Sequence, residues 1–174
     1  MDFWSVIERR RSVRAFSKET EVSKDAVAQV LRAAILAPSA GNRQPWHFIV
    51  VRDPSLRKAL AEAAYGQEFL AEAPVVIVVC AEPQRSAARY GKRGAELYCL
   101  QDTAAAIEHI LLAATALGLG TCWVGAFDES RAAESLQLAS HFRPVALIPI
   151  GKPVSEGPRE TGRRPLEEVV EYRD

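Results

Sequence analysis

The residues of this chain best suited to chemistry are arginines with short polar neighbours. Arg9-Arg10-Arg11-Ser12-Val13-Arg14 stands near the beginning, and Arg163-Arg164-Pro165 near the end. Between them runs a turn-rich string, Pro38-Ser39-Ala40-Gly41-Asn42-Arg43-Gln44-Pro45-Trp46. A guanidinium grips phosphate oxygens through a planar fork that lysine cannot reproduce. Ser12 and Asn42 add short hydrogen-bonding side chains of the kind that hold a sugar or polyol. Lys+Arg 22 balance Asp+Glu 22, so a triple arginine marks a local anion site rather than a polyanion surface. An isolated triplet is more often a solvated basic face. Here Ser12 interrupts the run and a second arginine pair lies far away in sequence. The pattern points to a phosphorylated small-molecule cofactor and away from nucleic acid.

Other chemistries find no support. No Ser-His-Asp or Cys-His arrangement is legible, and Glu167-Glu168 has nothing to place its members across a cleft. Cys80, Cys99 and Cys122 share no metal-ligand spacing. Their scatter through apolar stretches predicts core filling in a reducing compartment, with no disulfide framework and no metal site. His47 reads as structural at a strand entry, and His109 as a surface or interface residue. Gly118-Leu119-Gly120 follows a helix and lacks the third glycine of a dinucleotide fingerprint.

The elements that must position these residues follow from periodicity and punctuation. Asp2 can cap a short helix bearing Phe3, Trp4 and Ile7 on one side. Ser23 and Asp25 start a second helix, predicted over Asp25–Ala37 and stopped by Pro38. Phe48–Val51 reads as a buried strand, and Pro54 opens a helix over Ser55–Ala64. Val75–Cys80, almost wholly β-branched and apolar, predicts a central strand covered on both faces. Glu82–Gly94 is polar and turn-rich and reads as a surface excursion. A long helix follows over Ala95–Leu117, with a predicted buried stripe of Leu97, Leu100, Ala104, Ile107, Leu111 and Ala114. Its remaining surface is so rich in alanine that burial against a large core or a partner subunit is expected. Asp128 caps a further helix to Leu138, and Val145–Ile150 is a last strand. There is no repeat and no linker, so residues 1–174 are expected to form one domain. No signal peptide or stretch of membrane-spanning length is apparent, which makes the cytoplasm the expected location and membrane association unexpected.

Five segments in order then resemble the FMN-dependent nitroreductase family. They are Arg10–Arg14, Ala37–Trp46, Gly118–Phe127, Pro149-Ile150-Gly151-Lys152-Pro153 and Arg163–Val170. The resemblance implies an α+β fold: a central mixed, mainly antiparallel sheet flanked by helices in three α/β/α layers, assembled as an intertwined homodimer with two shared FMN sites. By the same resemblance Arg10, Arg11, Ser12 and Arg14 belong to the opening flavin segment. Pro38, Ser39, Ala40, Asn42 and Gln44 approach the same flavin from the other subunit. Gln67 faces its polar edge, Trp123, Val124 and Gly125 lie beside the ring, and Arg163 and Arg164 close on the phosphate. The implied activity is hydride transfer from NAD(P)H through tightly bound FMN to a small electron-poor acceptor such as a nitroaromatic or quinone, in ping-pong fashion and without a catalytic side chain. A flavin-fragmenting or dehalogenating relative, or a flavin-binding protein without turnover, are the alternatives. Glu82–Gly94 is shorter than the helical insertion of many members, which resembles the family's compact branch.

Overall fold

The computed structural model describes residues 1–155 and 161–173. Helix α1 (Phe3–Arg9) starts where the Asp2 side chain accepts the Ser5 N–H at 3.1 Å. Helix α2 (Lys24–Ala34) is capped the same way by Ser23, whose hydroxyl accepts from the Ala26 N–H. Each cap satisfies a donor that has no partner inside its helix. The α-helical part of α2 ends three residues earlier than predicted. Leu36 and Ala37 donate to Ala33 and Ala34, three residues back, in a tightened last turn. Pro38 explains this, because its ring disfavours a helical residue before it.

Strand β1 (Trp46–Val51) begins two residues before its apolar run. Helix α3 (Pro54–Ala63) carries Pro54 in its first turn and Asp53 as its cap. The short helix α4 (Phe69–Glu72) leads into β2 (Val75–Ala81), every residue of which is buried. Helix α5 (Pro83–Arg93) corrects the expected surface excursion: the segment is helical, and its Ser86 is fully buried. Pro83 supplies the helix start, and the polarity that suggested a loop is the exposed face of the helix. A π-helical turn (Gly94–Tyr98) then joins α6 (Cys99–Ala116). Strand β3 (Gly120–Thr121), helix α7 (Glu129–Ser135) and strand β4 (Arg143–Gly151) complete the order.

The strands form one antiparallel sheet in the order β1-β2-β4-β3. Alternation along the central strand divides the interior. Val75, Ile77 and Val79 face α2 and α6, whereas Val76, Val78 and Cys80 pack with Leu60, Ala63 and Leu70 beneath α3, α4 and α7. This is the expected three-layer α+β arrangement. An isolated parallel bridge between Ser12 and Thr121 adds its only parallel pairing among the described residues.

The predicted stripe holds in the C-terminal half of α6, where Ile107, Leu111 and Ala114 are buried, and fails before it. Leu97, Leu100 and Ala104 are half-buried, while Cys99, Asp102, Thr103, Ala106 and Ile110 are also inside. Polar residues are admitted because each bonds the backbone: Thr103 Oγ1 donates to the Cys99 carbonyl at 2.9 Å, and Asp102 accepts from Ala40. Reading hydrophobicity alone excludes both.

Candidate functional site

After α1 the chain runs extended along the edge of the sheet. Val13 N–H donates to the Thr121 carbonyl at 2.8 Å, and Ser17 N–H donates to Lys152 at 2.8 Å. Alternation buries Val13 and leaves Ser12 and Arg14 exposed on the opposite side. Two glycines make the seam possible. A Cβ at Gly120 would fall 2.8–2.9 Å from the Val13 side chain, and one at Gly151 would fall 2.8 Å from Phe16 and 2.9 Å from Pro74. Those distances are well inside normal carbon contact. In sequence Gly120 stands only as the second glycine of Gly118-Leu119-Gly120 after a helix, which gives no sign of this packing role.

Beside the seam, Arg14 lies with its guanidinium carbon 5.9 Å from the Phe69 ring centre. Cys122 is buried beneath it. Burial pushes its thiol pKa up, and nearby Arg14 and Ser12 offset part of that rise. The chain continues through exposed Trp123 to Val124, which exchanges two 3.0 Å backbone hydrogen bonds with Leu147. That pairing turns the Gly125 backbone outward. Gly125 is exposed, and its N–H has no acceptor among the described residues. Gln67 reaches the same place from the end of α3. Its amide nitrogen donates to the carbonyls of Ala64 (3.1 Å) and Ala126 (3.0 Å), which leaves Oε1 as an acceptor. Arg10, Ser12, Arg14, Gln67, Trp123, Val124 and Gly125 therefore lie along one edge of the sheet, from its β3 corner to the middle of β4. Arg11 joins them, its Nη2 donating to the Ser155 carbonyl.

Pro38–Gln44 is elsewhere. Trp46, where β1 begins, faces Ala81, and Ala81 faces Arg143 at the start of β4. Strand β3 pairs with the far end of β4, at Ile150 and Gly151. The turn and the arginine seam thus occupy diagonally opposite corners. Within the turn, Gly41, Asn42 and Gln44 have φ of +54°, +53° and +50°. That left-handed conformation suits glycine and tolerates asparagine, but it is unusual for glutamine. Polar bonds hold it: Gln44 N–H donates to Ser39 Oγ at 3.0 Å, and Gln44 Nε2 donates to Asn42 Oδ1 at 3.1 Å. Ala40 N–H donates to Asp102 Oδ1 at 3.0 Å. Asp102 is only 6% exposed and its Oδ2 has no partner among the described residues; burial raises its pKa, partly offset by the Ala40 N–H. Helix α5 clamps the outside. Arg43 Nε donates to the Arg85 carbonyl at 3.0 Å, and Arg85 Nε donates to the Arg43 carbonyl at 2.7 Å. A lone acid among alanines and leucines was the available sequence signal for Asp102.

Arg163 and Arg164 are exposed. Arg163 donates to Thr161 and Gly162, and Arg164 pairs with Glu168 at 3.2 Å. Among the described residues no hydrogen bond or ion pair joins either to Arg10, Ser12 or Arg14. His109 bridges two helices, its Nδ1 lying 2.8 Å from the Ala33 carbonyl, and His47 stacks on Phe142.

A profile described as the nitroreductase family matches residues 7–67 and 63–152. The chain belongs to that family. A candidate NADH dehydrogenase/NAD(P)H nitroreductase of Archaeoglobus fulgidus is 38% identical over 155 residues, covering 87% of this chain and 85% of that protein. An NADH dehydrogenase of Thermus thermophilus is 34% identical over 192 residues, covering 95% and 93%. Among solved structures, a nitroreductase family protein of Clostridium novyi superposes with a TM-score of 0.80 at 36% identity, covering 88% of this chain and 86% of that one. A protein of Exiguobacterium sibiricum crystallised in complex with FMN shares the fold, with a TM-score of 0.89 at 24% identity over 99% and 98% of the chains. The family match contains both corners of the sheet and stops before Arg163 and Arg164. Among the described residues no helix is long and apolar enough to cross a membrane.

Proposed function

We propose that this member of the nitroreductase family is an FMN-dependent oxidoreductase, drawing hydride from NADH or NADPH and reducing a small electron-poor acceptor such as a nitroaromatic or quinone. The observation that carries this reading is the β3 corner. It offers Arg10 and Arg14 without a carboxylate partner among the described residues, the Ser12 hydroxyl, and the outward N–H of Gly125. That donor set fits FMN, which presents one phosphate, a polyol and a planar ring with polar edges. The names of the relatives support the dinucleotide, and the FMN complex of a protein with the same fold supports the cofactor.

FMN, when bound, supplies the redox chemistry, accepting hydride from the dinucleotide and passing electrons to the second substrate. The chain binds, orients and polarises. Arg10, with Arg163 and Arg164, would hold the phosphate, and Ser12 the polyol. Arg14, as a guanidinium, would stabilise negative charge on the pyrimidine edge. The Gly125 N–H would orient the ring without a side chain that blocks approach, and exposed Trp123 would adjoin it, while Val124, whose side chain is buried in the core, would contribute only backbone. Gln67 Oε1 can accept from a ring N–H. No side chain acts as general acid or base, and the two substrates alternate in one pocket.

The same reading requires a homodimer. Pro38, Ser39, Ala40, Asn42 and Gln44 lie at the wrong corner to reach their own Arg14, so they would cover the cofactor held by the other protomer. Exposed apolar side chains support an interface: Phe3 and Trp4 on α1, and Leu166, Val169 and Tyr172 in 161–173. Phe3, Val6, Ala33, His109, Leu112 and Ala116 line an apolar groove between α1, α2 and α6.

Purified protein is expected to be yellow and to release FMN rather than FAD. Anaerobic NADH or NADPH should bleach it, and a nitroaromatic should restore the colour. Yellow protein that neither nucleotide bleaches would overturn the activity. In flavin-saturated variants, Arg14→Ala should slow bleaching more than Arg11→Ala, because Arg11 already bonds the Ser155 carbonyl. Ala116→Glu, at an exposed position, should lose dimer and colour together in sedimentation.

A further inference from the structure

From Pro83 to Gly94 the chain carries Arg85, Arg89, Lys92 and Arg93 and no acidic residue, within a protein that is neutral overall. Lys92 has a partner, Glu96, at 3.7 Å. Arg43, Arg85 and Arg89 have no ion pair among the described residues. Arg85 and Arg89 stand one helical turn apart, on the same side of α5. That side lies along the Gly41–Arg43 turn: Arg85 bonds the Arg43 carbonyl, and Arg89 Nη1 lies 3.0 Å from where a Cβ of Gly41 would be.

The clamp fixes these groups without consuming them. Arg43 and Arg85 each use Nε, leaving the terminal nitrogens of both forks without an acceptor among the described residues. Arg89 rests over the Tyr90 ring, its Cζ 5.5 Å from the centroid. Like charges held around one turn repel, and a multiply charged anion seated between them relieves that repulsion. Guanidinium forks already immobilised also lose less entropy on binding.

FMN has a single phosphate, which the reading above assigns to Arg10, Arg163 and Arg164. Arg43, Arg85 and Arg89 are then surplus to the cofactor, although the turn they surround faces it. We propose that Arg43, Arg85 and Arg89 form an anion rim for the phosphate groups of the nicotinamide dinucleotide, the 2′-phosphate included, so that NADPH is the better donor. This rests on the oxidoreductase reading and deepens it by naming the donor.

The test uses the FMN-loaded protein and Arg89→Ala, since the Arg89 side chain makes no hydrogen bond among the described residues that its removal would break. Anaerobic bleaching is followed with NADPH, NADH and 1-benzyl-1,4-dihydronicotinamide, which carries no phosphate. In the wild type, NADPH should half-saturate at a lower concentration than NADH. In the variant, the half-saturating NADPH concentration should rise about tenfold, the size of one charge-assisted contact. The limiting rate, the FMN content and the benzyl donor should be unaffected. Calorimetry with adenosine 2′,5′-bisphosphate should show binding that weakens with salt in the wild type and drops about tenfold in Arg89→Ala. Equal impairment of the benzyl donor, loss of FMN, or unchanged bisphosphate affinity would each overturn the rim. If neither nucleotide bleaches the wild type, the oxidoreductase reading fails, and calorimetry still decides whether the rim binds a phosphorylated nucleotide.

Discussion

At the β3 corner, Val13 and Phe16 rest on the bare backbones of Gly120 and Gly151, and the segment between them is fixed by shape. At the β1 corner, Pro38–Gln44 has little apolar contact of that kind. It is held by the Ser39 hydroxyl, the Asp102 carboxylate and the reciprocal Arg43–Arg85 bonds, with three left-handed residues in seven. Packing tolerates almost no added volume but ignores pH and salt. A polar clamp tolerates volume better and responds to any change in charge or hydrogen-bonding capacity. The two halves of the proposed site should therefore fail in different ways.

The largest effect is expected at the seam. Gly120→Ala drives a methyl against Val13, whose branched side chain has few alternative rotamers, and should destabilise by about 3 kcal/mol in urea unfolding. Adding Val13→Ala should recover part of that loss, whereas additive single effects would show that Gly120 matters for another reason. Neither result should change with pH.

The clamp comes next. Asp102→Ala strands the Ala40 N–H and should destabilise by about 2 kcal/mol. Asp102→Asn keeps an acceptor and removes a buried charge. Burial raises the Asp102 pKa in the folded chain. Protonation therefore favours folding: the contribution is fully present below the unfolded carboxyl's pKa and is lost as pH rises through the raised folded value. Asp102→Asn should accordingly match or exceed the native stability at neutral pH, and lose its relative advantage near pH ~3.5. A stability difference that stays constant across that range would separate Asp102 from the clamp's charge dependence.

The smallest effect is at the Arg143–Glu129 pair, close to the same corner but half-exposed on both sides, with Nε 2.8 Å from Oε2. Arg143→Ala should cost less than about 1 kcal/mol, and salt should erase most of it. Hydrogen bonding to Arg143 lowers the Glu129 pKa, so what the pair contributes is present above the ordinary glutamate value and fades as pH falls through the lowered one.

Much of this contrast was visible in sequence on one side only. Val75–Cys80 announced a central strand because an almost wholly β-branched, apolar run fits a strand covered on both faces. Asp2, Ser23 and Asp128 announced helix starts because short acceptors outside a helix satisfy its first N–H groups. The seam and turn residues were legible through their resemblance to a family, and the fold gathers those of the seam at one corner. What escaped was whatever depends on a partner distant in sequence. Gly120 needs Val13 to explain it, Asp102 needs Ala40, and Arg85 needs Arg43. Helix α5 was hidden for a related reason: its polar face resembles a loop until the turn it clamps is known.

The diagonal separation of Arg14 from Asn42 has a genetic reading. If each cofactor pocket borrows one corner from each protomer, a lesion at Arg14 and a lesion at Asn42 damage different halves. In a mixed assembly of the two defective chains, one pocket collects both lesions and the other collects none. Two alleles that are each inactive alone would then complement when expressed together, whereas two lesions at the same corner would not.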